Sequence, residues 1–191
     1  MLRKSLLASL ILAAGSAPAL AETYVIDPTH TQVRFGYSHF GLSDIVGIFS
    51  GITGEIVYDP AKPEASSVKA SIPIADVHTG VAKMDDHLRA ADFFDVASFP
   101  TASFTSSKVE AAGEGKLKVT GELQVRDIRR EVVLDVSLNA MKPHPMTQRA
   151  SIGFNATTDL KRTELGVGKY APAVSDEVSI EITVEASVAA E

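Results

Sequence analysis

The 191-residue chain has no cysteine, which excludes thiol nucleophiles, thiolate metal sites and disulfide staples. Basic charge is also in short supply, with 18 Lys and Arg against 24 Asp and Glu for a net charge of −6. Nucleic acids and anionic membrane surfaces are gripped by clustered Lys and Arg, so neither is an expected partner. No apolar run reaches the roughly 18 to 20 residues of a spanning helix, and no integral membrane segment is expected. GxSxG, HExxH and other nucleophile or metal motifs are missing as well, which leaves no motif pointing to catalysis.

What is present begins with MLRKSLLASLILAAGSAPALA. Arg3 and Lys4, an apolar run from Leu6 to Ala14 and a small-residue end at Ala19 to Ala21 have the layout of a cleavable secretory signal peptide, residues 1–21. Loss of Arg3 and Lys4 leaves 16 basic residues against the same 24 acids, a net charge of −8. Residues 22–191 are enough for one domain with its own core. An exported chain without a lipobox cysteine is expected in a periplasm.

Period-two alternation dominates the remainder. In KLKVTGELQVR (116–126), Leu117, Val119, Gly121, Leu123 and Val125 share one face and charged or polar residues the other. EVVLDVSL (131–138) and EVSIEITVEA (177–186) repeat the pattern, as do 31–40 with Val33, Phe35, Tyr37 and His39 and 67–75 with Val68, Ala70, Ile72 and Ile74. Segments 48–58, 101–109 and 148–158 alternate less strictly, and Gly47, Gly51 and Gly54 suggest bulges or bends there. Short turn signals separate the runs, implying antiparallel hairpins. Eight or nine such strands in one sheet would expose an apolar face, so closure into a barrel or a sandwich is expected. KMDDHLRAADFFDVASFP (83–100) breaks the alternation. It reads as a short helix over about 81–91, with Asp85 and Asp86 in its early turns, followed by an irregular segment whose phenylalanines are too apolar for water.

Four stretches together resemble one family: YVIDPTHTQVRFGYSHFGLS (24–43), DDHLRAADFFDVASFP (85–100), KLKVTGELQVRDIRREVVLDV (116–136) and LGVGKYAPAVSDEVSIEI (165–182). They are similar to the YceI-like family of bacterial, mostly periplasmic proteins. The resemblance implies an all-β fold, an antiparallel eight-stranded lipocalin-like barrel with the helix near 81–91 as a lid. It further implies a binding or carrier protein, not an enzyme, that holds a polyisoprenoid or another long-chain amphipathic lipid. Neither cofactor nor metal is implied, and a monomer or a homodimer fits equally. Asp127 and Glu131 depart from a family preference for glycine and proline, and Leu165 from one for phenylalanine.

Within this frame the expected ligand contacts are Phe35, Tyr37, His39, Phe49, His87, Arg89, Phe93, Phe94, Phe104, Phe154 and Tyr170. Eight strands enclose a space that side chains can fill or that can take one slim ligand, and the small inward residues Ala70, Ala102, Gly121 and Ala156 favour a partly open bore. His39 ends an apolar stripe, either beside a ligand headgroup or as a cap on the next turn. Arg34 is expected to face outward. Arg89 has two readings, a bond to Asp92 or Asp95 and a headgroup contact. Asp85, Asp86 and His87 point about 100° apart on a helix and cannot converge on one ion. The alternatives kept open are an enzyme pairing His39 with Asp86 as general base, and a partner-binding domain without ligand.

Overall fold

A computed structural model describes residues 21–190; the expected leader, apart from Ala21, lies outside them. Eleven strand segments make eight antiparallel staves. Three staves are interrupted: β1 (Glu22–Ile26) runs on into β2 (Gln32–His39), β3 (Ser43–Phe49) into β4 (Thr53–Tyr58), and β5 (Ser67–Pro73) into β6 (Val77–His78). The helix α1 (Ala82–Arg89) follows, and the remaining staves are unbroken: β7 (Thr101–Gly113), β8 (Lys116–Val125), β9 (Ile128–Pro143), β10 (Ala150–Lys161) and β11 (Glu177–Ser187). Each stave pairs with the next in sequence, and β11 closes the ring on the first, meeting β2 at Ile180–Phe35 and β1 at Ala186–Ile26. The result is the expected eight-stranded antiparallel barrel, in which every stave has a partner on both sides.

The interruptions bend the staves without opening the wall. DPTHT (27–31) bulges out of the first stave and is clamped to β11: Thr31, 1% exposed, accepts from the Glu185 N–H and donates to the Glu185 carbonyl, both at 3.3 Å. Asp27 accepts from the Thr29 hydroxyl and N–H and faces His30 Nδ1 at 2.8 Å. The Thr29 and His30 bonds hold its carboxyl down at about 2. In the second stave Gly51 has φ +68, and a Cβ there would sit 2.6 Å from Asp76 Oδ2. That break therefore requires glycine.

Two segments escaped the sequence reading. β1 is too short to show a period, and β3 points Val46 and Ile48 outward, so both of its faces are apolar and the alternation vanishes. Elsewhere the inward stripes are the expected ones, and they form two contiguous clusters. Tyr24, Ile56, Tyr58, Phe104 and Phe154 pack toward the end where β1 begins and β11 stops. Phe35, Phe49, Val77, Leu88, Phe93 and Val178 pack toward the end holding α1. Near that second end β9 and β10 part beyond the Asp135–Thr157 pair, and a 3-10 turn, Arg162–Leu165, packs against β9.

Candidate ligand-binding site

The barrel is hollow. An elongated cavity of about 390 Å³ follows its axis, within the range of roughly 300 to 1,000 Å³ that houses small-molecule ligands. Its wall is built from the inward positions of all eight staves, so it is almost wholly apolar.

Two glycines keep the centre clear. Gly47 lies directly across from Phe35 in the β2–β3 ladder, and a Cβ on it would come within 2.2 Å of the Phe35 ring. A Cβ on Gly121 would come within 2.4 Å of the Phe104 ring. Each ring thus lies flat in the hollow that a missing side chain leaves, instead of projecting across the bore. This corrects two expectations: Gly47 is a seat for a ring and not a bend, and the space at Gly121 is occupied by Phe104.

At the α1 end the bore is covered, and the anchors of the cover are polar. Asp85, 5% exposed, accepts from the Thr79 N–H at 2.7 Å and the Thr79 hydroxyl at 2.6 Å, with His78 Nδ1 at 3.2 Å. The Thr79 hydroxyl bond, with help from His78, holds its carboxyl below the usual range. Arg89 Nε donates to the Ala75 carbonyl at 2.9 Å and Nη2 to that of Val77 at 2.8 Å, while Nη1 lies 3.4 Å from Asp86. Arg89 therefore ties the helix to the third stave and does not line the cavity. Neither Asp92 nor Asp95 is its partner. With its polar side so anchored, α1 turns Met84, His87 and Leu88 to the cavity.

The other expected contacts do line the cavity: Phe35, Tyr37, His39, Phe49, His87, Phe93, Phe94, Phe104, Phe154 and Tyr170. Phe35, Phe49 and Phe94 form a chain with centroids 5.4 and 5.5 Å apart, and Phe154 meets Tyr58 edge-on at 5.5 Å toward the far end. His39 lines the cavity, and it also serves the next turn, its carbonyl accepting from the Leu42 N–H at 3.0 Å while its backbone bridges to Val174. It packs against Phe40 at 4.3 Å, whereas Asp86 sits on solvent-exposed helix beside Arg89, so the two do not form an acid–base pair. Arg34 faces outward toward Glu181 at 3.7 Å. Among the described residues no three His, Asp or Glu side chains gather as a metal site requires.

The mouth combines aromatic rings with sparsely bonded polar groups. His87 stacks edge-on against Phe93 at 4.7 Å, and Tyr170 lies 6.2 Å from Phe93. The Tyr37 hydroxyl has one protein partner, the Met84 sulfur at 4.0 Å, and burial raises its pKa. Across the opening Lys169 bonds Asp92, joining the segment after α1 to the loop after β10. That bond pushes the Asp92 carboxyl down and the Lys169 ammonium up. Arg126 Nη1 fastens the same two segments, donating to the carbonyls of Phe93 at 3.1 Å and Gly166 at 3.2 Å.

Sequence reasoning missed Arg162. It is 8% exposed, lines the cavity and gives four hydrogen bonds to backbone carbonyls of its own loop, those of Val167, Lys169, Val174 and Ser175. Its guanidinium lies 5.7 Å from the Tyr37 ring centroid, and burial draws its pKa below the ordinary value. The signal was available: alternation from Phe154 through Ala156, Thr158 and Leu160 lands on Arg162.

Comparison with known proteins agrees with this architecture. A UPF0312 protein of Azotobacter vinelandii is 36% identical over 189 residues, 97% of this chain and 98% of the relative. The crystal structure of Burkholderia cenocepacia BcnA superposes with a TM-score of 0.77 at 25% identity, covering 85% of this chain and 99% of that one. A structure described as a polyisoprenoid binding domain from Saccharophagus degradans shares the fold, with a TM-score of 0.65 at 14% identity over 87% of this chain and 98% of its own. No helix among the described residues is long and apolar enough to cross a membrane, a statement that does not extend to strands. The model of the YceI-like domain matches residues 24–186, all eight staves of the barrel and both segments that cover its mouth, and the chain belongs to the YceI-like family.

Proposed function

We propose that the barrel is a periplasmic carrier for a polyisoprenoid or another long-chain amphipathic lipid, with residues 1–21 directing its export. The observation that carries this reading is the hollow, apolar bore with His39, His87, Arg162 and Lys169 gathered at one end. A prenyl or acyl tail lies along Phe35, Phe49, Phe94, Phe104 and Phe154, under the cover made by α1 and Phe93. The head reaches the mouth, where Tyr37, His39, His87 and Tyr170 have bonding capacity to offer. Burial of the tail contributes about 0.8 kcal/mol per methylene, so each five-carbon unit adds roughly 4 kcal/mol at most. The description of one structural neighbour as a polyisoprenoid binding domain supports the same ligand class.

Catalysis needs a nucleophile or an acid–base pair that touches the bound molecule, and the geometry favours binding instead. The test is a series of prenols of increasing length titrated into delipidated protein. Affinity is expected to climb with each added unit until the bore is full and then level off. Affinity independent of chain length would refute a tail-in-bore mode.

A further inference from the structure

The hairpin joining β2 to β3 carries an unusual tip. Its residues His39, Phe40, Gly41, Leu42 and Ser43 include no Lys, Arg, Asp or Glu. Leu42 is 85% exposed and Phe40 53%. Phe40 also holds φ +58, a left-handed conformation that a bulky side chain rarely adopts and that Asn or Gly would accept with less strain. A strained, half-exposed phenylalanine gains less from folding than a buried one, so the reason for it is sought in contact with something else.

The position of the tip narrows what that is. Phe40 lines the cavity, as does the half-exposed Tyr170, and the hairpin is stitched to the Tyr170 loop by the His39–Val174 bridge and the bond from the Ser175 N–H to the Ser38 carbonyl. The exposed apolar surface is therefore continuous with the lining of the bore. A molecule whose tail suits that bore has negligible monomer concentration in water and resides in a lipid phase. It must enter where bore and lipid touch.

We infer that the Phe40–Leu42 tip, joined to the loop that carries Tyr170, is a docking surface for a lipid bilayer, inserting into the interfacial layer so that an amphiphile passes between bilayer and bore without crossing water. The tip lacks Lys and Arg in a chain of net negative charge, so the surface it fits is a zwitterionic one, not an anionic one. This inference rests on the carrier reading for its purpose, but its test does not need the ligand.

The chain contains no tryptophan, so a single introduced one reports its own surroundings. Leu42→Trp and Met146→Trp place the probe at opposite ends of the barrel, at sites 85% and 86% exposed. With phosphatidylcholine vesicles the Leu42→Trp emission is expected to shift to the blue and to be quenched by brominated acyl chains, while Met146→Trp stays unshifted. Leu42→Ser, which does not line the cavity, is expected to weaken vesicle partition about tenfold and to slow lipid transfer from vesicles in proportion, leaving affinity for detergent-delivered prenol unchanged. Leu42→Trp emission that ignores vesicles, or moves no more than Met146→Trp, overturns the docking surface. So does a blue shift that tracks protein concentration without vesicles, which assigns the tip to a second copy of the chain. If prenol still binds, the carrier reading survives any of these; failure of prenol binding with the vesicle response intact has the opposite meaning.

Discussion

Gly47→Ala probes whether the bore has free space beside Phe35. The new Cβ would lie 2.2 Å from the Phe35 Cζ and 2.7 and 2.9 Å from its Cε atoms, against an ordinary contact of 3.4 Å or more. The ring must retreat by more than 1 Å, and with the β2–β3 wall behind it the direction is inward. In a barrel filled with side chains such overpacking costs about 1–3 kcal/mol, lowering Tm by about 2–4 °C for each kcal/mol in a domain of this size. In a hollow barrel the ring swings into open space, and the loss is offset by the roughly 0.5–1 kcal/mol that alanine gains over glycine within a strand. The cost then falls on the ligand, which loses contact worth about one or two methylenes, a four- to fifteenfold rise in Kd. Thermal melts followed by circular dichroism and prenol titrations separate the cases. We expect Tm to stay within about 3 °C while Kd rises; a Tm drop of more than about 6 °C with unchanged affinity would refute the reasoning.

Three further outcomes follow from the mouth. Arg162→Met strips the donors from four carbonyls, at least two of them through buried bonds; stability is expected to fall by about 2 kcal/mol or more, and hydrogen exchange across residues 166–176 to quicken relative to β8. His39→Ala is expected to weaken prenol binding by about three- to tenfold, measured by titration, with the far-ultraviolet dichroism unchanged. The Lys169–Asp92 bond has a defined pH window: the lowered Asp92 favours the closed mouth above its ordinary value of 3.8 and loses that effect as pH falls below it, and the raised Lys169 favours it below 10.5 and loses that effect as pH rises through its folded value. Ligand release from the wild type should therefore accelerate at either extreme, and Lys169→Met, measured by stopped flow, should release quickly at neutral pH and respond to neither limit.

The barrel was legible where one face of a strand meets apolar material and the other meets water, as along Leu117 to Val125 and Val178 to Val184. It was illegible where that contrast fails, as in β3, whose outward Val46 and Ile48 imitate its inward Ile45 and Phe49. Phe35, Tyr37, Phe104 and Phe154 were readable because they lie on inward strand positions, Phe93 and Phe94 because they are too apolar for water, and Arg162 was readable once the β10 stripe is followed past Leu160. Arg89 was not. Eight helical residues give too little period to fix a face, and nothing local marks the Ala75 and Val77 carbonyls as its partners. The seats for Phe35 and Phe104 were hidden for a related reason: a glycine reads as freedom of the chain, whereas here it is room for a ring contributed by a neighbouring strand.

The central claim is that the bore carries a lipid. Native mass spectrometry of protein purified from the cells that make it, followed by solvent extraction, tests it most directly. The account predicts a stoichiometric adduct of several hundred daltons or more whose extract fragments as a prenyl or acyl chain. Protein recovered gently at its bare polypeptide mass, which takes up no prenol when offered it, would contradict the account.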